Sequence, residues 1–350
     1  MDTIKTILDR FSLSSDSVLV APKYECKDCS SGACLVLGVE SLKRHITDEG
    51  WQLQEGLAKS DYYLCGKDLA VNTVDVKQIL NAFNVKTVVI QDPKEWDIGP
   101  LGFRDKTAKF QNIDALINRH DIFKVMITRD VHQRPVWYKR YSDMLGIHAW
   151  TTYYHPLIAA RVAPYIRPEH LLRTYHSVNL DDIPEFNEYR LDSLISGYNL
   201  SSLYPLRSRI IRSKSVIPGL NYLQHPGYSL GKCYTREYLQ ILDRYKVSIC
   251  TCSKYGYALR KIIESVICGC IAVTNLPEDE KLPIIDDYLF RISSDTNMSD
   301  LGKIIVNLYN HYDNGIQKDV IEKAKLFYGY QNLGSILAND IEKLRVNYNA

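Results

Sequence analysis

A glycine and an arginine that follow one strand pattern are the residues in this sequence best placed to bind phosphate. The residues from Asp192 to Ile195 predict a strand, and Gly197 and Tyr198 begin the loop after it. A helix pattern follows, with Pro205 in its first turn and Arg207 close behind. Free N–H groups at a helix start favour an anion, and the forked guanidinium group of arginine matches phosphate oxygens. We therefore predict that Gly197, Tyr198 and Arg207 bind a diphosphate.

A second candidate segment, from Ser253 to Glu280, predicts a loop, a helix, a buried strand and another loop. Gly269 ends the helix, as glycine does where the chain turns into a left-handed conformation. Lys261 and Glu264 lie three residues apart and share one helical face, so an exposed ion pair is one interpretation. The pair also stands beside a glycine turn at the end of an α/β unit, where ligands bind. The ligand residues predicted in this segment are Tyr255, Gly256, Arg260, Lys261 and Glu264.

The residues from Glu264 to Val273, ESVICGCIAV, resemble the donor-binding segment of glycosyltransferases with two Rossmann-like domains, the GT-B architecture. The pattern of that family is a glutamate that opens a helix, a small residue and a glycine that close it, and a buried strand: E-A-M-A-C-G-x-P-V-V. The resemblance is specific within the C-terminal half and only architectural in the N-terminal half. It implies an α/β fold in which two Rossmann-like domains face each other across a cleft.

The resemblance also implies roles for individual residues. In that family the glutamate binds the ribose hydroxyls of a nucleotide-sugar, and a basic residue one turn earlier faces the phosphates. These roles correspond to Glu264 and to Lys261 or Arg260. A glycine and an arginine after the first strand of the second domain hold the donor diphosphate, which implies that role for Gly197 and Arg207.

The sequence departs from one form of the family pattern. The E-x7-E form places a second glutamate eight residues before Glu264, where this chain has Gly256. The retaining mechanism linked to that form is therefore not implied, and retention or inversion at the anomeric carbon stays open.

A polar loop, residues 129–135, follows the strand predicted at 123–128 and contains Asp130 and His132. The carboxyl end of a parallel strand is where such sheets bind ligands. If the reaction inverts the configuration at the anomeric carbon, the acceptor hydroxyl needs a base, and we predict His132 or Asp130 for that role. No D-x-D motif lies near a strand end. The family resemblance then implies no obligatory metal, since a cluster of cations in the second domain can replace magnesium. We expect no cofactor besides the donor, a UDP-sugar.

Apolar strand patterns alternate with helix patterns, which predicts parallel sheets with helices on both faces. The predicted strands lie at 17–21, 34–39, 61–65, 86–91, 123–128, 149–153, 173–178, 192–195, 247–251, 270–274 and 288–292. The acidic stretch NLDDIPEFNEY lacks periodicity and predicts an interdomain linker. The expected organisation is an N-terminal acceptor domain (1–180), a linker (181–190), a C-terminal nucleotide-sugar domain (191–330) and a helix that packs back across both domains (331–350).

Composition excludes several classes of protein. The 350 residues have a net charge of +2, which does not indicate a general polyanion binder. The sequence contains no apolar run of eighteen or more residues, so it predicts no membrane span. The nine cysteines are an odd number, and several stand in strand or helix patterns as small apolar residues. We therefore expect a reduced, cytoplasmic protein, either a monomer or a homodimer.

Cys26, Cys29 and Cys34 form a C-x2-C-x4-C cluster, for which His45 is the nearest fourth ligand in the sequence. This spacing matches no familiar zinc module. Free thiols in a loop are therefore the expected state, and structural zinc is the alternative.

The predicted function is transfer of a hexosyl or pentosyl group from a nucleotide-sugar to a hydroxyl acceptor. The acceptor is a glycan or lipid-linked saccharide, or a hydroxymethylated base in DNA, because some viral enzymes of this architecture glucosylate such bases. Segment 121–175 holds eight Lys and Arg against four acids, with aromatic residues that stack on sugars or bases, and an ordinary surface is the alternative interpretation. A nucleotide-sugar epimerase and a non-catalytic nucleotide-sugar-binding protein are the competing classes. A nicotinamide dehydrogenase is disfavoured, since no G-x-G-x-x-G follows an early strand.

Overall fold

The computed structural model describes residues 33–37, 74–82, 85–90, 96–99, 102–105, 110–128, 135–225 and 235–348. These residues form two compact units. The first consists of the described residues up to Tyr175 together with the chain from Leu333 onwards, and the second runs from His176 to Asn332. None of the helices in these ranges combines the length and hydropathy that a membrane span requires.

Several sequence predictions fall outside the described residues. They are the strands at 17–21 and 61–65, the cysteines Cys26 and Cys29, and both candidate bases, Asp130 and His132. Their predicted roles stay predictions.

The first unit contains a parallel sheet of five strands. The described strands of the whole unit are β1 (Ala33–Leu37), β2 (Val74–Asp75), β3 (Val85–Ile90), β4 (Trp96–Gly99), β5 (Gly102–Asp105), β6 (Phe110–Gln111), β7 (Phe123–Ile127), β8 (Ala149–Thr152) and β9 (Leu171–Arg173). Its helices include α1 (Val76–Ala82), α2 (Pro135–Leu145) and α3 (Pro156–Val162), with short 3-10 turns at Ile113–Leu116 and Pro168–His170. The sheet has the order β1-β3-β7-β8-β9, and every neighbouring pair is parallel. A parallel pair β2–β6 and an antiparallel pair β4–β5 stand apart from it.

The central strands of this sheet, β3, β7 and β8, are buried along nearly their whole length. All five residues of β7 are buried, including the charged residue Lys124. Lys124 satisfies its ammonium group by donating to the Leu145 carbonyl at 2.8 Å. Continuous burial of this kind is typical of parallel sheets between helices.

The second unit contains the other five-stranded sheet. Its strands are β10 (Leu191–Gly197), β11 (Leu220–Gln224), β12 (Tyr245–Ile249), β13 (Ile271–Thr274) and β14 (Leu289–Arg291). Its helices are α4 (Pro205–Arg212), α5 (Thr235–Leu242), α6 (Arg260–Ile267), α7 (Met298–Asn310) and α8 (Asn314–Tyr328), and α9 (Tyr330–Tyr348) begins here and continues in the first unit. Short 3-10 turns lie at Leu180–Asp182, Lys214–Val216 and Asp286–Tyr288.

The strand order of the second sheet creates a switch point. The order is β11-β10-β12-β13-β14, and every neighbouring pair is parallel. The chain therefore moves from β10 to one side of the sheet and then returns past it to continue on the other side. Loops after β10 and β12 diverge at this point, and ligands of such sheets bind in the resulting crevice at the carboxyl ends of the strands.

The core of the second unit lies between this sheet and α4 and α7. Ile195, Ile249 and Val273 come from three neighbouring strands and are at most 2% exposed. They pack with Ile210 of α4 and Ile305 of α7, both fully buried. Burial of this apolar surface holds the carboxyl end of β10 against the start of α4.

The two ends of the second unit are joined to each other by backbone hydrogen bonds. Val178 and Gly329 form an isolated parallel bridge. The Val178 amide donates to the Tyr328 carbonyl at 3.0 Å, and the Tyr330 amide donates to the Val178 carbonyl at 3.3 Å. The chain thus enters and leaves this unit at neighbouring positions.

A buried ion pair ties together the segments behind the sheet. Arg190 and Asp243 are 2.6 Å apart, and their side chains are 0% and 10% exposed. Arg190 also donates to the carbonyls of Asn187, Tyr245 and Cys268 at 2.7–3.1 Å. One guanidinium group therefore fixes the chain before β10, the start of β12 and the end of α6.

Two strand predictions need correction. The strand predicted at 173–178 is instead β9, Leu171–Arg173, because the chain passes from the first unit to the second after Tyr175. Strand β11, with the sequence LNYLQ, was not predicted. It lies at the sheet edge, and its polar residues Asn221 and Gln224 are exposed, so it lacks the apolar run of a central strand.

We expect Arg190→Met to lower the free energy of unfolding by about 3–5 kcal/mol, because it leaves Asp243 buried without its cation. Urea unfolding followed by far-UV circular dichroism measures the change. The matched control is Lys303→Met, which removes an exposed pair with Asp300 and should cost at most about 1 kcal/mol. Equal losses in the two variants would show that the Arg190 pair does not stabilise the unit.

Candidate functional site

Two side-chain cations meet at Gly197, the last residue of β10. The φ angle of Gly197 is +117°, in the region that favours glycine. A Cβ atom at this position would lie 2.9 Å from Nη1 of Arg207, and Nζ of Lys261 would be closer still. The missing side chain therefore leaves room for the guanidinium and ammonium groups beside the strand end.

Arg207 is a buried cation that donates to neutral oxygens. It is the third residue of α4 and is 2% exposed. Nε donates to the Thr251 hydroxyl at 3.2 Å, Nη2 to the Thr251 carbonyl at 3.1 Å, and Nη1 to the Tyr198 carbonyl at 3.4 Å. The guanidinium carbon lies 3.9 Å from the ring centroid of Tyr204. Burial lowers the pKa of Arg207, so an anion beside it would stabilise the charged form.

Lys261 reaches the same point from α6. Its Nζ donates to the Ser196 hydroxyl at 3.2 Å and lies 5.5 Å from the ring centroid of Tyr238. The hydroxyl oxygens of Ser196 and Tyr238 are 2.7 Å apart. Burial, and then the charge of Arg207, lower the pKa of Lys261 to about 7. Burial and the charge of Arg207 therefore oppose the charge of the ammonium group, and an anion at Gly197 would favour its protonation.

Arg260 and Glu264 form a separate pair on the same helix. Nε of Arg260 lies 3.0 Å from Oε1 of Glu264, and both side chains are nearly fully buried. The pair spans one helical turn, while the neighbouring residue Lys261 points to Gly197. The exposed Lys261–Glu264 ion pair considered from the sequence is therefore wrong. Of the two basic candidates, Lys261 lies at the strand end and Arg260 engages the carboxylate.

The glycine turn before α6 follows the neighbouring strand, β12. Gly256 has a φ of +71°, and its amide donates to the Ser253 carbonyl at 3.0 Å. A Cβ atom at Gly256 would lie 3.0 Å from Cγ of Pro277. The rings of Tyr255 and Tyr257 are stacked, with centroids 6.3 Å apart. Since β10 and β12 are parallel neighbours, this turn leaves the same edge of the sheet as Gly197.

Tyr198 and His225 lie on the other side of the cation pair. Tyr198 is 52% exposed, and its ring meets that of His225 edge to face at 5.9 Å. Burial lowers the pKa of His225, and the charges of Lys261 and Arg207 lower it further. The imidazole is therefore close enough to both cations for their charges to lower its pKa.

The structure brings together part of the predicted set. Gly197, Arg207 and Lys261 converge, with the Tyr198 carbonyl bonded to the guanidinium group. The sequence analysis did not select the partners of the two cations, which are Ser196, His225, Tyr238 and Thr251. Position supplies a signal for two of them, because Ser196 directly precedes the glycine and Thr251 closely follows β12.

Four cysteines of the second unit are free thiols. Cys250, Cys252, Cys268 and Cys270 are all buried. Burial raises the pKa of each thiol, that of Cys252 to about 11. Among the residues that the structure describes, no three His, Cys, Asp or Glu side chains form a group that could hold a metal ion. Cys34 lies in β1, but the rest of the predicted cysteine cluster is outside the described ranges.

No family model matches the sequence, and no curated protein matches it. Solved glycosyltransferases are similar in structure at low sequence identity. AviGT4, a glycosyltransferase involved in avilamycin A biosynthesis, has a TM-score of 0.50 and 9% identity, over 90% of this chain and 98% of that chain. A glycosyltransferase from Rickettsia africae has a TM-score of 0.48 and 10% identity, over 90% and 98%. HepE of Anabaena, solved in complex with UDP-glucose, has a TM-score of 0.48 and 11% identity, over 89% and 99%.

The likeness to AviGT4 spans nearly the whole of both chains, and it agrees with the two parallel sheets described above. At this level of identity the likeness concerns the fold. The chain has the α/β fold of the GT-B glycosyltransferases.

Proposed function

We propose that this chain is a glycosyltransferase that moves a sugar from a nucleotide-sugar to a hydroxyl group of an acceptor. The observation that supports this most directly is the meeting of Arg207 and Lys261 at Gly197. This point is the carboxyl end of β10, at the switch point of the second sheet. A nucleotide-sugar carries a diphosphate, and the position matches where such sheets bind ligands.

The proposed reaction requires stabilisation of a leaving diphosphate. An acceptor oxygen forms a bond to the anomeric carbon while the bond from that carbon to the diphosphate breaks. The electron pair of the broken bond stays on the nucleoside diphosphate, and the acceptor proton goes to a base. Arg207 and Lys261 lie where they would interact most strongly with the charge that develops on the leaving group.

Glu264 is the proposed partner of the donor ribose. Its carboxylate is buried in α6 and paired with Arg260. A carboxylate accepts hydrogen bonds from two neighbouring hydroxyl groups, and a guanidinium group on the preceding turn fixes its orientation. In this proposal Arg260 orients Glu264, while Tyr255 and Gly256 form the adjoining wall of the donor site.

The base that receives the acceptor proton is proposed to be His132 or Asp130. Both follow β7 in the sequence, after its carboxyl end. Imidazole suits this task because its ordinary pKa lies close to neutral pH. The proposal applies if the reaction inverts the anomeric carbon.

A saccharide is the proposed acceptor. The basic residues of segment 121–175 support this over DNA, because several have partners of their own. Lys124 is 1% exposed, Lys139 pairs with Asp143 at 2.6 Å, and the Arg173 guanidinium lies 4.7 Å from the ring centroid of Tyr175. The buried Lys124 is poorly placed for the phosphate contacts that duplex DNA requires, and the Arg173 guanidinium already lies over a ring.

We propose a UDP-sugar as the donor. We also propose that no metal is required, since Arg207 and Lys261 would supply positive charge to the diphosphate. A cytoplasmic protein is also proposed. The four buried thiols of the second unit support that location, since unpaired cysteines are usual in reducing compartments.

We expect Lys261→Met to weaken UDP binding by about 10- to 100-fold, because it removes a charged donor to the diphosphate. Uridine binding should change little, since the nucleoside has no phosphate. Isothermal titration calorimetry with both ligands measures the difference. The control is Arg209→Met, which removes an arginine of α4 that donates to the Ser294 and Thr296 carbonyls. Equal loss for UDP and uridine would remove Lys261 from the phosphate site.

Glu264→Gln tests the ribose contact. The native protein should prefer UDP over 2′,3′-dideoxy-UDP by about tenfold or more, because a charged acceptor strengthens hydrogen bonds to the hydroxyls. The variant should lose most of this preference. The exposed residue Glu278 supplies the matched control, Glu278→Gln. Competition binding measures both, and an unchanged preference in Glu264→Gln would contradict the proposed role.

His132→Ala should lower turnover by about 100-fold or more without changing donor affinity, because it removes the proposed base. The assay follows nucleoside diphosphate release with saccharide acceptors and with hydroxymethylated DNA. His120→Ala, at an exposed position of the same unit, is the control. Normal turnover in His132→Ala excludes it as the base. Release of an altered free sugar without any acceptor would instead indicate an epimerase.

A further inference from the structure

We propose that Ser196 and Tyr238 are positioning residues that hold the Lys261 ammonium group charged and directed at the donor diphosphate. This inference rests on the proposed function, because it explains how one residue of that site is oriented. Neither residue was selected from the sequence, and neither is part of the phosphate contacts proposed above.

The direction of the hydrogen bonds follows from the chemistry of the groups. A lysine ammonium group can only donate, so the Ser196 oxygen accepts from Nζ at 3.2 Å. The same oxygen is 2.7 Å from the Tyr238 hydroxyl. The Ser196 hydroxyl proton is then free to be donated to the Tyr238 oxygen, and a hydroxyl that donates in this way is a better acceptor for Lys261.

Tyr238 acts on Lys261 in a second way. Its ring centroid lies 5.5 Å from Nζ, and the face of an aromatic ring attracts a cation. The hydroxyl chain and the ring therefore favour both one position and the charged form of a long, flexible side chain. Without these hydroxyl groups and the ring, the Lys261 side chain would occupy more rotamers, and its ammonium group would no longer be held beside Gly197.

The groups from other elements largely oppose this charge. Burial lowers the pKa of Lys261 to about 7, and the charge of Arg207 contributes in the same direction. The one nearby carboxylate among the described residues that affects Lys261, Glu264, is itself paired with Arg260. The titratable and charged groups that face Lys261 are Arg207 of α4, His225 after β11, Tyr238 of α5, Cys250 after β12, and Glu264 of α6.

Because the pKa of Lys261 is about 7, the loss of one hydrogen bond can change the charged fraction of Lys261 at neutral pH. Loss of the Ser196 acceptor removes a hydrogen bond made to the charged form, so the pKa of Lys261 should fall. Below its pKa in the free protein, Lys261 is already charged and the diphosphate binds at full affinity. Above that pKa, binding must first take up a proton, so affinity falls as the pH rises. A lower pKa therefore moves this fall to lower pH.

The primary experiment measures the Lys261 titration directly. Protein labelled with 13C at the lysine ε carbon is titrated by NMR from about pH 5 to about pH 10, and Lys261→Met identifies the Lys261 signal. We expect Ser196→Ala to lower the midpoint by about half a pH unit or more, corresponding to about a threefold change in the protonation constant. Tyr238→Phe keeps the ring and should cause a smaller shift in the same direction. Ser196→Thr keeps the hydroxyl and should restore the midpoint.

Tyr222→Phe is the matched control. The Tyr222 hydroxyl donates to the Gly197 carbonyl at 3.2 Å, so this variant deletes a hydroxyl at the same strand end without touching Lys261. Its titration midpoint should equal that of the native protein. Unmoved midpoints in Ser196→Ala and Tyr238→Phe, or an equal shift in Tyr222→Phe, would overturn the inference.

Binding of UDP-glucose separates this inference from the proposed function. We use a nucleotide-sugar because its diphosphate has no ionisation near neutral pH. Affinity should decrease above about pH 7 in the native protein and at lower pH in Ser196→Ala. If Lys261→Met binds as tightly as the native protein, the proposed phosphate role fails and this inference with it. If Lys261→Met loses affinity but Ser196→Ala only weakens binding equally at every pH, the phosphate role stands and this inference fails.

Discussion

Repulsion between two desolvated cations is the constraint on which the structure around β10 depends. Arg207 and Lys261 both lie at Gly197, and the charge of Arg207 disfavours the charge of Lys261. The surrounding groups lessen the cost without cancelling the charge. They are hydroxyl and carbonyl oxygens and aromatic rings, from Thr251, Tyr198, Tyr204 and the Ser196–Tyr238 pair. A carboxylate there would be more stabilising, but it would compete with any anionic ligand.

A comparison with Arg190 shows what a purely structural arginine looks like in the same unit. Arg190 is also buried, yet it is paired with Asp243 and saturated by carbonyl groups from three segments. Its positive charge is therefore balanced by groups within the fold. Arg207 lacks such a carboxylate partner in the described part of the chain, and it lies at the carboxyl end of β10 beside a second cation, Lys261. The two residues have the same chemistry, and their partners distinguish the structural role of Arg190 from the phosphate-binding role that we propose for Arg207.

The sequence predicted those parts of the fold whose signals are local. Strand β7 and helix α6 have continuous or periodic apolar residues, so their positions agree with prediction within a few residues. Edge strand β11 has too few apolar residues to be recognised alone. The glycine, arginine and lysine of the site were found because each stands beside a strand or helix end. Ser196, Tyr238 and Lys261 are far apart in the chain, so only the folded sheet reveals their contacts. The choice between Lys261 and Arg260 likewise depended on which face of α6 meets β10.

The bridge between Val178 and Gly329 gives the second unit an unusual topological freedom. Its entry and exit segments are hydrogen-bonded neighbours, so the intervening chain forms a loop that the fold itself has already closed. Joining those ends with a short linker would cost little conformational entropy. New termini could then be opened in a surface turn, as in a circular permutant, while the sheet and its switch point keep their connectivity. The stretch between the two bridge residues is thus a natural module for excision, exchange or insertion into another protein.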